Sequence, residues 1–292
     1  SALSGGGRGS LMGARPLSVP AVDGRPSAEA VGIAFAKKNG VSGEGKEALA
    51  ALRALPMKNV VDGLNMASMG QAGETYVGGP VLDGTIVNLT PQQALESGKW
   101  AKVPVLAGST SADLGFSFVN SKDEVFKPFG AAAQQARQAY DPDGKAPMEM
   151  VRWQVAMDQM MSEPPRYVSK QATAQGLPAY FYRFSYVAES MRGQWPGAMH
   201  ATELPYVFDT VQARYGKDLT DADRKMADAT NSYWANFAKN GDPNGAGLPQ
   251  WPRYDPAKDI LLDFTQQGAK AYVDPWKARL DATELLFSQQ KR

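Results

Sequence analysis

The chain of 292 residues contains no cysteine and a single histidine, His200. Without cysteine there is no disulfide, no thiolate nucleophile and no zinc centre that uses sulfur. Histidine is the side chain whose ordinary pKa suits proton transfer near neutral pH. Any imidazole that does such work here must therefore be His200. Long apolar runs are also missing: Ile260-Leu261-Leu262 is typical of the longest, whereas a membrane-crossing helix needs roughly 20 apolar residues in succession. Neither sign of charge dominates. There are 31 Lys and Arg against 30 Asp and Glu, a net charge of +1, and no basic run marks a nucleic-acid surface. A chain without disulfides suits a reducing cytoplasm and a bacterial periplasm alike, so the composition does not choose a compartment.

What is present is ordinary for a folded protein. Apolar residues make up 43% and charged residues 21%, and the length suffices for one large domain or two small ones with a substantial core. The first residues, Ser1-Ala-Leu-Ser-Gly5-Gly6-Gly7-Arg8-Gly9, carry no initiator Met, signal peptide or element start, and read as a chain that begins within a domain. Helical spacing over Ser27–Asn39, with Ser27 as N-cap and Asn39-Gly40 as stop, predicts a helix. A second runs over Lys46–Leu55 and ends at Pro56. Gly78-Gly79-Pro80 and Asp83-Gly84 are turn signals around a short Val81-Leu82 segment. Val103–Ala107 reads as a buried strand that delivers the loop Gly108-Ser-Thr-Ser111, Ala179–Ser185 as an aromatic-rich strand, and Leu261–Phe264 as a third. Met148–Met161 is a predicted helix with Pro164-Pro165 beyond it. Thr220–Asn240, capped by Thr220 and stopped by Gly241, is the clearest helix, and Pro275–Ser288 is a terminal one. Short buried strands alternating with helices predict an α/β domain.

Residues that could carry chemistry cluster in two loops. His200 lies after Trp195-Pro196-Gly197, between the Tyr180–Phe184 strand and the Thr220 helix; loops held by a rigid scaffold commonly bear catalytic groups. Asp113 follows the Val103–Ala107 strand. It reads either as a turn or cap carboxylate or as the acid that orients an imidazole and stabilises its protonated form. Glu203, three residues after His200, reads equally as a group tuning the local field, or holding a water, and as an acceptor for nearby backbone. Phe116, Phe118 and Trp195 flank the acid and base in sequence; they read as pocket walls or as core. A nucleophile is missing. Gly-x-Ser-x-Gly, the strained elbow that exposes a serine oxygen, occurs nowhere in the chain. Gly5-Gly6-Gly7 superficially resembles an oxyanion-hole run, but glycine triplets ordinarily form flexible turns, and no role is assigned to it.

With these residues placed, the chain resembles the type-B carboxylesterases, the family of para-nitrobenzyl esterases, liver-type carboxylesterases and cholinesterases. Gly78-Gly-Pro-Val-Leu-Asp-Gly84 resembles the family's Gly-Pro-Val-x-Asp-Gly, and Val103–Asp113 the strand and loop that present the triad acid. Gly197-Ala-Met-His200-Ala-Thr-Glu203-Leu-Pro-Tyr-Val-Phe208 resembles the histidine motif. Trp234–Asn244 with Trp251-Pro-Arg-Tyr254 resembles the C-terminal signature, and Ser4-Gly5-Gly6 a segment shortly after the nucleophile elbow.

The resemblance implies an α/β-hydrolase fold, a mixed and mostly parallel sheet flanked by helices. Residues 1–292 would be the C-terminal part of a single domain, with the N-terminal strands and the elbow absent from this chain. It implies His200 as general base, Asp113 as triad acid and Glu203 as a supporting group, with no metal or organic cofactor. An upstream segment carrying the serine would be the partner and an uncharged carboxylic ester the substrate, with no nucleic acid and no membrane span. The family acid is more often Glu, and here it is Asp. The second reading is a non-catalytic adhesion or binding protein on the same fold, disfavoured by retention of both Asp113 and His200. Alone, the chain is expected to aggregate through an unpaired sheet edge.

Overall fold

The computed structural model describes residues 14–21, 24–62 and 80–289. The glycine run at 5–7, the Ser4-Gly5-Gly6 match and the Gly78-Gly79 turn lie outside the described residues. Backbone contacts divide the chain into two compact units that meet in sequence between Ala94 and Leu95.

In the first unit a two-residue strand, β1 (Arg15–Pro16), precedes the helices α1 (Ala28–Lys38), α2 (Lys46–Arg53) and α3 (Met57–Val61). It pairs in parallel with β2 (Val81–Leu82). Ser27 caps α1 as its sequence predicts, its hydroxyl accepting from the Ala30 N–H at 3.1 Å. Asp83 closes the turn after β2 by accepting from the N–H groups of Thr85, Ile86 and Val87. The helix α4 spans Pro91–Ser97.

The second unit is built on a four-stranded sheet. Its elements in chain order are β3 (Val105–Thr110), α5 (Lys122–Phe126), α6 (Ala133–Tyr140), α7 (Met148–Met157), α8 (Glu163–Ala174), β4 (Ala179–Phe184), α9 (Leu204–Val207), α10 (Val211–Tyr215), α11 (Asp221–Asn240), β5 (Ile260–Thr265), β6 (Gly268–Val273) and α12 (Lys277–Gln289). The strand order is β3-β4-β5-β6, with β3, β4 and β5 parallel and β6 antiparallel to β5. This is the mixed, mostly parallel sheet that the sequence predicts.

Both faces of the sheet are covered, and the two-residue period of β4 shows how. Tyr180 and Phe184 face a core with Met226, Ala227 and Tyr233 of α11 and with Trp251 and Phe264. Ala179 and Phe181 face Ala172 of α8, Tyr254 and Leu261. Trp251 is fully buried among aromatic rings and donates its indole N–H to the Phe181 carbonyl at 3.2 Å. α11 starts on a capping box in which Thr220 and Asp223 bond each other's backbone, and it ends at Gly241 in the left-handed conformation.

The sequence reading departs from the structure at several elements. The predicted Met148–Met161 helix stops at Met157 and passes through a π-turn, Asp158–Ser162, into α8. Pro164 and Pro165 do not lie beyond a helix. They occupy the first turn of α8, where a missing N–H costs little. β3 begins two residues later than expected and continues through Gly108, Ser109 and Thr110, which the sequence placed in a loop. β6 was not predicted. Its Gly-Ala-Lys-Ala-Tyr-Val lacks a clear apolar alternation because it lies at the sheet edge, only partly buried.

Buried ion pairs tie α12 to the sheet and to the π-turn. Arg183 of β4 makes a bidentate pair with Asp274, both bonds 2.8 Å, and stacks 3.5 Å from the Trp276 ring centre. Arg279 grips Asp158 through two bonds of 2.8 and 2.9 Å, and Tyr140 also donates to Asp158. Arg166 of α8 pairs with Asp259 and, at 2.5 Å, with Asp281. Losing one member of such a pair leaves an uncompensated buried charge and costs ~3–5 kcal/mol. Asp274→Ala is therefore expected to destabilise the protein by about that amount. The exposed pair Arg192–Glu189 serves as the comparison, and Arg192→Ala should cost under about 1 kcal/mol. Urea denaturation of the two variants checks the difference.

Candidate active site

Parallel pairing of β3 and β4 places two loops side by side. The last registered pair is Thr110 with Phe184. Beyond it the loops stay locked: the Ala112 N–H donates to the Ala198 carbonyl at 2.8 Å, and the Ala198 N–H donates to Ser111 Oγ at 3.0 Å. Ala112 and Met199 continue the pairing as a parallel bridge. The crossing is so close that a Cβ on Gly197 would lie 2.8 Å from Ser111 Oγ and 3.1 Å from Ala112 Cβ. Glycine is needed here for approach rather than for its dihedral freedom.

This crossing brings Asp113 and His200 together although 87 residues separate them. Asp113 sits at the carboxyl end of β3 with its side chain 3% exposed. One carboxylate oxygen accepts from the Thr110 N–H at 3.1 Å and the other from the Leu114 N–H at 2.8 Å. These backbone donors fix the carboxylate plane. His200 Nδ1 lies 2.6 Å from Asp113 Oδ1. A carboxylate can only accept, so Nδ1 carries the proton and donates it in this bond, which leaves the Nε2 lone pair available. The His200 side chain is 46% exposed. The residue that follows, Ala201, is held in the left-handed region at φ 63, a strain of about 1–2 kcal/mol for a non-glycine residue. Such outliers gather at functional sites.

Glu203 stands at the start of α9, facing the same place. Its Oε2 is buried and has no hydrogen-bond partner among the described residues. Burial raises its pKa above the ordinary range and the Asp113 charge raises it further, while His200 acts in the opposite sense. The Tyr182 phenol is pushed up by burial and by the neighbouring Glu203 and Asp113 carboxylates.

Two cavities flank the dyad. One, of about 330 Å3, is walled by Leu114, Phe116, Trp153, Pro196 and Met199, with His200 at its margin. The other, of about 260 Å3, includes Ser109, Met161, Tyr182, His200 and Glu203 in its lining. Phe116 lines the first of these cavities. Phe118 is 90% exposed, and neither it nor Trp195 lines either of these two cavities. Phe116 is held back by its N–H on Met160 Sδ at 3.5 Å, and the chain then runs outward. Trp195 belongs to the turn that precedes the Gly197 crossing.

Trp153 and Met199 are the site residues that sequence reasoning missed. Trp153 donates its indole N–H to the Asp113 carbonyl at 3.2 Å. In sequence it is one more aromatic residue on a helix, and only the packing of α7 beneath Asp113 gives it a place. Met199 carried a signal, since it directly precedes His200 and alternates with Ala198, which is fully buried.

The chain is 27% identical to the Homo sapiens protein named Cocaine esterase over 206 residues, which cover 62% of this chain and 37% of that one. It is 34% identical over 130 residues to the Anas platyrhynchos protein named Fatty acyl-CoA hydrolase precursor, medium chain, covering 43% of this chain and 23% of the relative. Carboxylesterase 1D of Rattus norvegicus is 26% identical over 234 residues, 70% of this chain and 41% of the relative. The chain thus spans well under half the length of these curated relatives. The sequence profile described as Carboxylesterase family matches residues 10–282, and with a match across nearly its whole length the chain belongs to the carboxylesterase family.

Proposed function

We propose that this chain supplies the acid–base half of a serine-dependent carboxylic ester hydrolase. The observation that carries the reading is the 2.6 Å bond from His200 Nδ1 to buried Asp113, which sets the imidazole as a base at Nε2. In the proposed reaction Nε2 takes the hydroxyl proton of a serine as its oxygen attacks the ester carbonyl. Asp113 stabilises the resulting imidazolium, and the same proton passes to the departing alcohol. Water then repeats the sequence in reverse roles and releases the acid.

The serine and the backbone N–H groups that hold the oxyanion are proposed to come from a segment of the same fold outside these 292 residues. Two facts support this: Gly-x-Ser-x-Gly is missing from the sequence, and the relatives are much longer than their matched portions. The substrate class is an uncharged carboxylic ester. No helix among the described residues is long and apolar enough to cross a membrane.

Removing the acid is expected to lower kcat in the complete protein by on the order of 10^4, and removing the base by on the order of 10^6. His200→Gln and Asp113→Asn, assayed on a p-nitrophenyl ester, check this. An organophosphonate should label a serine outside residues 1–292. A label on a serine within them, or full activity of His200→Gln, would falsify the assignment.

Glu203 is proposed to hold its proton to higher pH than a free carboxyl does, because burial and the Asp113 charge both oppose its ionisation. A carboxyl whose folded pKa is raised binds more protons folded than unfolded. Its effect on stability is then harmless below its unfolded value, near 4.3, and becomes unfavourable as pH rises above it. Glu203→Gln should therefore raise the melting temperature at pH 7, and the advantage should vanish near pH 4. A variant equally stabilised, or destabilised, at both pH values contradicts a raised Glu203 pKa.

A further inference from the structure

We propose that Ser111 is a positioning residue for the reaction: its hydroxyl latches the loop that carries His200 to the end of the sheet, and so sets where the imidazole stands. The kinetic consequence rests on the ester-hydrolase reading, whereas the latch itself is a property of the fold. Two successive residues beyond β3 bond in different directions. The Ser111 N–H donates to the Phe184 carbonyl at 3.0 Å, which carries the β3/β4 ladder one step further. The Ala112 N–H instead donates to the Ala198 carbonyl on the histidine loop, at 2.8 Å. Ser111 thus has its backbone bonded to the sheet while its side chain reaches the loop, where Oγ accepts the Ala198 N–H at 3.0 Å.

The neighbouring side chains cannot take this place. Ala198 is fully buried, so its N–H has no recourse to water if the partner is lost. Ala112 carries no acceptor on its side chain. The Asp113 carboxylate is already engaged with the Thr110 and Leu114 N–H groups and with His200. Gly197 completes the fit: a Cβ there would lie 2.8 Å from Ser111 Oγ, so the hydroxyl uses the space that glycine leaves open.

A slip at Ala198 reaches the dyad directly. Ala198 lies two residues before His200, and the imidazole, 46% exposed, has little packing of its own to hold it. The acid cannot follow a displaced ring, because two backbone N–H groups grip its carboxylate. The 2.6 Å bond between them must absorb the whole movement. A misplacement of about 1 Å can cost about 10^2-fold in rate. Losing Oγ leaves the Ala112–Ala198 bond in place, so the slip should be smaller than that and the loss about tenfold.

The test uses the complete protein and a p-nitrophenyl ester. Ser111→Ala should lower kcat about tenfold and leave KM within about twofold. The downfield Nδ1 proton of His200 should broaden or move upfield in the same variant. Ser111→Thr keeps an oxygen on Cβ, and the partly buried position has room for its methyl group; both readouts should return toward the parent. Thr230→Val removes another buried hydroxyl, one bonded to the Met226 carbonyl at 2.8 Å within α11. It should lower the melting temperature and move neither readout. Ser111→Ala with parent kcat and an unchanged proton signal overturns the latch, as does a loss confined to KM. Should Ser111→Ala fail to fold, hydrogen exchange on the parent decides: the Ala198 amide should exchange as slowly as those of β4, and exchange at the rate of exposed amides overturns the latch. A parent protein that hydrolyses no ester overturns the reading beneath, and the proton signal and exchange rate still decide the latch.

Discussion

The backbone crossing between Ser111-Ala112 and Gly197-Ala198 is the constraint on which the site depends. Neither Asp113 nor His200 belongs to a strand, yet their bond of 2.6 Å requires two loops to hold position to within a fraction of an ångström. The crossing supplies that precision by extending the β3/β4 ladder past the strands. Paired backbone groups satisfy one another, and Gly197 permits a contact that a methyl group would block. The imidazole inherits the rigidity of the sheet while keeping one ring nitrogen open.

Rigidity in the sheet has its own sources. β4 is buried on both faces, with aromatic residues on one and small residues with Phe181 on the other. It also carries Arg183, a buried cation matched to Asp274 in bidentate geometry. Such pairs return little net stability against well-packed apolar residues, but they penalise wrong arrangements. The pairs at Asp274, Asp158 and Asp259 fix where α12 lies relative to β4, the π-turn and α8. The π-turn makes a second contribution. It lets α7 pass under the Asp113 loop while the chain continues into α8, so that Trp153 and Met161 meet the dyad from different sides.

Much of this was legible in the sequence, for identifiable reasons. The Thr220 cap and the Gly241 stop are local signals, and each formed as read. The pairing of Asp113 with His200 came from resemblance, since no local rule joins residues 87 apart. The π-turn was hidden because Pro164-Pro165 normally punctuates a helix, whereas here tertiary packing resumes the helix through the prolines. β6 was hidden because an edge strand needs only partial burial. Phe118 and Trp195 were drawn in by closeness along the chain, while Trp153 was overlooked because closeness in space leaves no mark on a helical repeat. The cavity walls are products of packing, and packing is what a single sequence states least directly.

In the proposed reaction Asp113 holds His200 as the Nδ1–H tautomer, leaving Nε2 as the base. Nitrogen NMR of 15N-histidine-labelled protein tests this directly, with the His200 signals identified by their loss in a His200 variant. At a pH where the ring is neutral, the account predicts a protonated, strongly hydrogen-bonded Nδ1 with a downfield proton, and an unprotonated Nε2. A ring protonated at Nε2, or one exchanging freely between tautomers with no downfield proton, would contradict it.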